Sequence, residues 1–309
     1  MMKRDSYNYF WENYDLTPPK WDMFFEVVKS NEAYTKFTTA IGLGELLEKP
    51  ESEDIQPDTP IESYTVICKN RSWARLVRFS YETVKDAQKV SNILADTVGT
   101  WGKKFPITQE KFYAKFINKG AYTAGHDVFN GTITGVIDDS SGDKIYDSDV
   151  FFGSAHVSKA GTTYTNFDSS ETFSHANIQL KYLIYVNDNN RDERDTIIDM
   201  EPDVLLIHPS YKFTVVEILN STLIPTNFDN ATNVLKGIIE PVTWAYLDDS
   251  TAWLLGGKKK GLMATDRQDV ELDFWQDETN KDYFASIFAR YGGCVTNWRY
   301  WYANNLSTS

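Results

Sequence analysis

The chain of 309 residues is long enough for one large or two medium domains, and its 41% hydrophobic and 15% aromatic residues can supply their cores. This composition excludes a disordered chain. The formal net charge of -13 argues against a protein that grips nucleic-acid phosphates, because that task needs clustered Lys and Arg.

The cysteine content and the hydropathy limit the cellular compartments in which the chain is expected. Cys68 and Cys294 are too few for a disulfide framework or a four-thiolate metal site, which indicates a reducing cytosol. The positively charged N-terminus has no apolar segment behind it, and no apolar run reaches the about 18 residues of a membrane span. Neither a secretory signal nor a transmembrane helix is expected.

The first 25 residues carry eight aromatic side chains and cannot form a core by themselves. We expect this segment to lie across another surface, either of the same chain or of a neighbouring copy. Residues 24–47 have a loosely helical pattern, and Gly42 and Gly44 loosen its end.

Between residues 48 and 79, the charge changes from acidic to basic where a pattern of β-forming residues begins. Residues 48–62 contain six acidic side chains against one Lys, whereas the charges of residues 63–78 are all positive. Residues 61–69 and 73–79 are rich in β-forming residues, and Asn70-Arg71-Ser72 predicts a turn between them. The hypothesis is a β-hairpin that needs a surface to lie on, with acidic and basic strips that pair between copies. A solvated loop whose charges meet nothing is the alternative.

Residues 80–120 predict two helices. Ser80 suits the N-cap of the first, Gly99 suits its end, and Ala87, Val90, Leu94, Val98 and Trp101 share one apolar face. Residues 101–106 predict a break, because Gly and Pro interrupt the pattern. Thr108 then caps a second helix that ends at Gly120. An ordinary pair of core helices is the simplest interpretation.

The remaining chain alternates short elements. Residues 125–166 are rich in Gly and Asx turns, which predicts short strands. The following elements are predicted further on: helices over 174–186 and 211–220, a buried strand over 202–209, strands over 233–242 and 252–255, and an alternating tail over 261–301. In the second of these helices, Phe213, Val216 and Leu219 lie on one side.

Short motifs in a shared order then identify a family. They are Phe79-Ser80-Tyr81-Glu82-Thr83, Asp86-Ala87-Gln88, Trp101-Gly102, Asn118-Lys119-Gly120, Gly125-His126-Asp127-Val128-Phe129, Phe152-Gly153-Ser154-Ala155-His156, Pro202-Asp203-Val204-Leu205-Leu206, Ile218-Leu219-Asn220-Ser221, Asn233-Val234-Leu235, Ala252-Trp253, Arg267-Gln268, Arg290-Tyr291-Gly292-Gly293 and Asn297-Trp298-Arg299. In order and spacing they resemble the major head (capsid) proteins of tailed bacteriophages, and most of all the Mu-like major head subunits. The resemblance covers residues 61–304.

This resemblance implies an α+β chain with the Hong Kong 97-like capsid fold. That fold has an N-terminal arm, an extended hairpin called the E-loop, a peripheral domain with a long spine helix, and an axial domain. On this sequence the arm would be residues 1–49, the E-loop 50–79, the peripheral domain 80–175, the axial domain 176–262, and the return to the peripheral domain 263–309. The implied function is a major capsid protein, not an enzyme, that self-assembles into the icosahedral head of a tailed double-stranded DNA phage.

The resemblance also implies the partners. They are other copies of the chain, in pentamers and hexamers, together with separate scaffolding, portal and decoration proteins. The shell would enclose double-stranded DNA without sequence-specific binding, without a membrane and without a cofactor. It would assemble in the host bacterial cytoplasm and remain in the virion. No fused scaffold segment and no cross-linking Lys and Asn pair is identified in the sequence.

Motifs for catalysis or metal binding are weak, and we predict no catalytic, cofactor or metal residues. Asp188, Asn190, Asp192, Arg194, Thr196 and Asp199 have the spacing of a calcium-binding EF-hand loop. The sixth position is Glu193 instead of Gly and the last is Asp instead of Glu, so a solvated loop is favoured over a calcium site. His126, His156, His175 and His208 lack a zinc-ligand spacing and are expected in ordinary hydrogen bonds.

A second class of function is a carbohydrate-binding or carbohydrate-degrading module. Nine Trp, eighteen Tyr and the acidic balance suggest it, because exposed aromatic rings stack on sugars. Exposed rings would favour this alternative, whereas buried rings and self-assembly would favour the capsid.

Overall fold

The computed structural model describes residues 2–16, 18–41, 46, 48–52, 54–55, 57–58, 61–86, 90–121, 133–134, 145–147, 149–223 and 232–308. These residues form an α+β structure with two main sheets. The helices are α1 (Met2–Asp15), α2 (Tyr81–Asp86), α3 (Val90–Asn118), α4 (His175–Asn187) and α5 (Lys212–Asn220). The strands are β1 (Glu26–Lys29), β2 (Tyr34–Ile41), β3 (Ile61–Phe79), β4 (Ile133–Thr134), β5 (His156–Val157), β6 (Thr163–Tyr164), β7 (Phe167–Asp168), β8 (Val204–Ile207), β9 (Glu240–Thr243), β10 (Trp253–Gly256), β11 (Leu262–Gln276), β12 (Tyr283–Val295) and β13 (Trp301–Asn304).

The larger sheet has the strand order β1-β11-β12-β3-β2, with β4 paired to β3. Its long strands β11, β12 and β3 are antiparallel neighbours, and β1 pairs parallel to β11. Helix α3 packs against this sheet, with Tyr113, Phe116 and Ile117 buried at the contact. The sheet and α3 form a mostly aromatic core.

The second sheet has the order β7-β13-β10-β8-β9. Every residue of β8 is buried, as the sequence predicted. Leu205 and Ile207 point into a core shared with α4 and α5, whereas Val204 and Leu206 point into the core under the larger sheet. Because β8 has no solvent-facing side, its sequence is continuously apolar.

The two helices that pack on this second sheet, α4 and α5, were both predicted from the sequence. Helix α4 begins after Ser174, whose side chain accepts a hydrogen bond from the Asn177 N–H. Helix α5 is also confirmed, but its predicted apolar side is divided: Leu219 is buried, while Phe213 and Val216 are exposed.

The tail enters both sheets, since residues 262–295 form β11 and β12 and residues 301–304 form β13.

The predicted break between two helices at residues 101–106 is wrong. Helix α3 continues for 29 residues through Gly102 and Pro106. Thr108 is not an N-cap, because its hydroxyl donates to the Lys104 carbonyl inside the helix. The predicted cap at Ser80 is confirmed by its hydrogen bond from the Thr83 N–H, at the start of α2. Residues 87–89, including the predicted apolar Ala87, lie outside the described residues.

The glycines of α3 are packing positions and not stop signals. A Cβ at Gly102 would lie 2.5 Å from the Phe10 carbonyl oxygen, and a Cβ at Gly99 would lie 2.5 Å from the Tyr9 ring. Helix α1 therefore approaches α3 closely at these two positions, and Phe10 is fully buried. The aromatic N-terminal segment thus lies on its own chain, which was one of the two surfaces expected for it.

The predicted turn at Asn70-Arg71-Ser72 is also wrong, because β3 is one strand of 19 residues. Residues 61–69 pair with β2, and residues 70–79 pair with β12. The Asn70 amide donates to Ser30 and to the Glu32 carbonyl and accepts from Thr265, so it holds three segments instead of making a turn. The hairpin is therefore β2–β3, and residues 34–41 are a strand instead of part of a loosely helical segment.

Cys68 and Cys294 form a disulfide between β3 and β12, with a Cα–Cα distance of 5.2 Å. The two residues are 226 positions apart in sequence, and the inference of reduced thiols from the cysteine count is wrong for this pair. The link lies where β3 leaves β12 and continues into the hairpin with β2, and both side chains are fully buried. It therefore fixes the root of the hairpin to the larger sheet.

The substitution Gly102→Ala tests the close contact of α1 and α3. In an ordinary helix this change stabilises by about 1 kcal/mol. Here the added methyl group would meet the Phe10 backbone, so we expect a lower free energy of unfolding, by about 1–3 kcal/mol. Urea unfolding measures it, with the exposed Thr100→Ala as control, expected within about 0.5 kcal/mol. A stabilised Gly102→Ala protein would contradict the packing role.

Candidate functional site

The described histidines make hydrogen bonds inside the fold. His175 Nε2 lies 3.0 Å from Asn233 Oδ1, and His208 Nδ1 accepts from the Ser210 N–H at the start of a short 3-10 turn. His156 is fully buried and stacks on the Trp298 ring with the centroids 4.1 Å apart. His126 lies outside the described residues.

His156 joins a buried polar cluster with Asp147 and Asn166. Its Nδ1 lies 2.6 Å from Asp147 Oδ2, and its Nε2 lies 3.1 Å from Asn166 Oδ1. Two further hydrogen bonds fix the orientation of the Asn166 side-chain amide. Its Nδ2 donates to the Phe151 carbonyl, and its Oδ1 accepts from the Gly153 N–H. Both ring nitrogens of His156 therefore face oxygen acceptors, which leaves neither free for a metal or a substrate.

The loop over residues 188–199 uses its acidic side chains to hold itself in place. Asp192 accepts from the Arg194 and Thr196 N–H groups, and Asn190 accepts from the Met200 N–H. Asn190 is buried, so the expectation of a solvated loop is wrong at this position. Among the described residues, no group of three or more His, Cys, Asp or Glu side chains is arranged to hold a metal ion.

A buried ion pair connects this loop to the tail of the chain. Arg299 Nη1 lies 2.6 Å from Glu193 Oε1, and both side chains are largely buried. Glu193 also accepts a hydrogen bond from the Lys159 N–H. Because a buried charge without its partner is costly, we interpret this pair as a structural clamp and not as a catalytic dyad.

Replacing Arg299 by Ala tests the clamp. The change leaves Glu193 buried without its cation, and we expect a loss of about 3–5 kcal/mol in the free energy of unfolding. The matched control is Lys258→Ala, since Lys258 pairs with Glu240 at the surface and should contribute about 0–1 kcal/mol. Equal losses in the two variants, measured by urea unfolding, would contradict a buried clamp.

A second buried cation lies beside the smaller sheet. Lys181 Nζ is 2.9 Å from Asp168 Oδ2 and 3.0 Å from Glu171 Oε1. Burial raises the pKa of the Asp168 carboxyl, but the hydrogen bond and charge of Lys181 outweigh it, so the pKa lies below its ordinary value. The pKa of Lys181 is raised in turn by the same two carboxylates, against the effect of its burial.

Because the pKa of Asp168 is lowered in the folded state, the free energy of unfolding depends on pH. The stabilisation that the ionised Asp168 contributes is complete above the ordinary Asp pKa of about 3.9 and is lost as the pH falls through the lower pKa of the folded state. In Asp168→Asn we therefore expect a smaller loss of stability on acidification than in the natural chain. Urea unfolding at a series of pH values measures the slopes, with the exposed Glu240→Gln as control. Parallel slopes for Asp168→Asn and the natural chain would contradict the prediction.

A groove of about 390 Å³ lies between β3 and the middle of α3. Its apolar walls are Trp73, Trp101 and Phe105, and its rim carries the exposed cations Arg75 and Lys104. Neither cation has an ion-pair partner among the described residues. The lining contains no acidic side chain, which sets this groove apart on a chain with a net charge of -13. We call it the basic groove.

The segment between β2 and β3 has the opposite character. Its described residues include the acidic Glu48, Glu51 and Asp54, all exposed. Leu46 and Ile55 are exposed by 101% and 81%, so two large apolar side chains have no surface to pack on. Residues 46–58 are therefore acidic and apolar, whereas the basic groove is basic and apolar. The described acidic residues of the predicted acidic strip are exposed, but the predicted basic strip of residues 63–78 is not free as a whole, because Arg78 pairs with Asp282 and Arg75 is its one cation in the basic groove. We call residues 46–58 the acidic segment.

Most of the Trp rings, all of which the structure describes, are unavailable for stacking on a sugar. Five of the nine Trp are buried: Trp21, Trp244, Trp253, Trp298 and Trp301. Trp11 and Trp275 are exposed, but Trp11 contacts the Phe10 and Tyr14 rings and Trp275 stacks on Phe284 of the neighbouring strand. In the part of the chain that the structure describes, no helix is both long and apolar enough to cross a bilayer.

Solved structures share this fold at low sequence identity. The capsid of Ralstonia phage GP4 matches with a TM-score of 0.55 and 10% identity, over 88% of this chain and 82% of that chain. The capsid of a native GTA particle matches with a TM-score of 0.54 and 11% identity, over 93% and 91%. A chain from Microbacterium phage Oxtober96 matches with a TM-score of 0.52 and 11% identity, over 95% and 92%. At this identity the likeness shows a common fold.

The family is shown by the sequence itself. No curated protein matches the chain. The model of a family described as phage capsid protein matches residues 71–304, which is most of the chain. The α+β architecture agrees with that match, because the matched region includes β12, the helices of the smaller sheet and all of α3. The chain therefore belongs to the phage capsid protein family.

Proposed function

We propose that this chain is the major capsid protein of a tailed double-stranded DNA phage, similar to the Mu-like major head subunits, and that it self-assembles into an icosahedral head. Copies contact one another through the arm, the E-loop hairpin and the capsomer faces. The chain acts as a structural subunit and carries out no catalysis. Its supporting observation is that the acidic segment and the basic groove are complementary surfaces on one chain.

The complementarity favours contacts between copies. The acidic segment carries exposed Leu46 and Ile55, and the basic groove offers Trp73, Trp101 and Phe105 for them to pack on. Burial of apolar area contributes about 25 cal/mol per Å². When the segment of one copy docks in the groove of the next, the interface is head-to-tail, and such interfaces form rings when the rotation between copies closes. Rings of five and six copies are the capsomers of an icosahedral shell.

We assign the parts of the Hong Kong 97-like fold with one change from the sequence prediction. The arm is shortened from residues 1–49 to residues 1–33, and its helix α1 packs on α3, which belongs to the spine. The E-loop is built from β2, the acidic segment and the first half of β3, instead of residues 50–79 alone. The peripheral domain is 80–175, the axial domain is 176–262, and 263–309 returns to the peripheral sheet before β13 joins the axial one.

The partners follow from the proposed assembly. Scaffolding and portal proteins are separate chains, and decoration proteins bind the finished shell. An acidic shell encloses double-stranded DNA without holding it, because like charges repel. Assembly takes place in the host bacterial cytoplasm, and the chain remains in the virion.

A charge exchange tests the docking. The triple variant Glu48→Lys, Glu51→Lys and Asp54→Lys places cations against Arg75 and Lys104, so we expect a folded subunit that no longer forms closed shells. Negative-stain electron microscopy of the expressed protein measures shell formation. Adding Arg75→Glu and Lys104→Glu to the triple variant should restore it. A deletion reaching into residues 70–79 is unsuitable, since it would remove part of the larger sheet.

The control places Lys at the exposed Glu278, which lies in the turn between β11 and β12. This variant should form shells as the natural chain does. Shells of normal size and number from the triple variant would contradict docking by the acidic segment. A natural chain that stays monomeric in size-exclusion chromatography, and is retarded on a polysaccharide matrix, would contradict the capsid function.

A further inference from the structure

A second cavity, of about 180 Å³, lies under α1 and is separate from the basic groove's opening on β3. It is lined by Tyr14 of α1 and by Trp21 of the following 3-10 turn, and its floor is formed by β11 and β12. The polar side chains on its wall include Gln109, Thr265, Asp266, Gln268 and Asp269. The proposed assembly uses none of them.

Two carboxyl groups line this cavity, those of Asp266 and Asp269. Burial, and after it the nearby Asp269, raise the pKa of the Asp266 carboxyl. The pairing of β11 with β12 shifts register between Asp266 and Gln268 and again before Glu271, and this irregularity brings the two Asp residues of one strand together. Two neighbouring carboxylates repel each other, and a proton or a cation at the site relieves this repulsion. Asp269 is exposed, which gives an ion a path from solvent.

Other polar atoms of the cavity wall point to an occupant. Tyr291 is 3% exposed and Trp21 is 7% exposed, and neither the Tyr291 hydroxyl nor the Trp21 Nε1 has a hydrogen-bond partner among the described residues. The Gln109 Oε1 is also buried without a partner there. Buried polar groups are almost always satisfied by protein or ordered water. A cavity of about 180 Å³ has room for ordered water.

We propose that this cavity binds a hydrated divalent cation, Mg²⁺ or Ca²⁺, through the carboxylates of Asp266 and Asp269. An all-oxygen donor set of two carboxylates and several waters is what these hard cations prefer. The Gln109 Oε1 and the Tyr291 hydroxyl accept hydrogen bonds from the metal-bound waters. The Trp21 Nε1 donates to a carboxylate or to an outer water.

Few other charges act on this site. The charge of Lys29 in β1 acts to lower the pKa of Asp266. Burial, and to a smaller extent the charge of Asp266, raise the pKa of Tyr14 in α1 and of Tyr113 in α3. One Lys does not balance two carboxylates, so a divalent cation would neutralise the remaining charge. Because α1 and the 3-10 turn line the cavity, binding would also favour the state in which the N-terminal segment lies on the sheet.

Calorimetric titration of the purified full-length chain with MgCl₂ and with CaCl₂ tests the proposal. We expect one cation per chain, and a loss of affinity of at least about tenfold in Asp266→Asn and in Asp269→Asn. The matched control is Glu278→Gln, an exposed carboxylate outside the cavity, which should keep the natural affinity. The cation should raise the thermal midpoint of the natural chain and leave that of Asp266→Asn unchanged.

Terbium luminescence excited through tryptophan locates the ion independently. A Tb³⁺ ion between Asp266 and Asp269 would lie near Trp21, so Trp21→Phe should lower the luminescence while calorimetry still detects binding. Absence of binding to the natural chain at millimolar cation would overturn the proposal. Equal affinity in the natural chain and both Asp variants would also overturn it. Shell formation is scored separately by microscopy, so failure of this site leaves the proposed capsid function untouched.

Discussion

The continuity of β3 is the constraint on which the rest of the structure depends. One half of this strand is a member of the larger sheet, paired to β12, and the other half is an arm of the hairpin with β2. Since a strand cannot rotate one half without the other, the sheet determines where the hairpin points. The disulfide between Cys68 and Cys294 joins the strands at the position where these two roles meet. The same strand also supplies Trp73 and Arg75 to the basic groove, so both proposed contact surfaces are positioned by one element.

The aromatic content of the chain serves packing between layers. The sheet of β8, β10 and β13 has a core on each face, with Leu254 and Trp301 on one side and Leu255 and Tyr302 on the other. Large rings fill the space where the two sheets meet α3, as in the stacking of Trp73 on Tyr291 at 5.0 Å and of Trp21 on Tyr113 at 4.1 Å. Such rings bury much area with few rotatable bonds, which gives a rigid subunit. A rigid subunit is what a repeated lattice requires.

Part of the smaller sheet could be predicted because its signals are local, although the strand predicted over residues 233–242 begins only at Glu240. The apolar run of β8 and the Ser174 cap of α4 act within a few residues. The errors arose where a distant contact changed the meaning of a residue. Asn70 is a turn former in isolation, but here its amide is fixed by Ser30 and Thr265. Gly102 weakens a helix in isolation, but here it admits α1. No sequence motif marks the proposed site at Asp266 and Asp269, because that site also uses Gln109, which lies on α3.

The weakness of each proposed contact suits a shell. Exposed ion pairs contribute about 0–1 kcal/mol each, and the acidic segment and the basic groove offer only a few. A single docking event is therefore reversible, and a misplaced copy can leave and bind again. The apolar side chains Leu46 and Ile55 add area-dependent stabilisation, but only after the charges have brought the surfaces together. When every copy both offers a segment and receives one, these small terms repeat around each closed ring, so the assembled shell is held firmly although no single contact is strong.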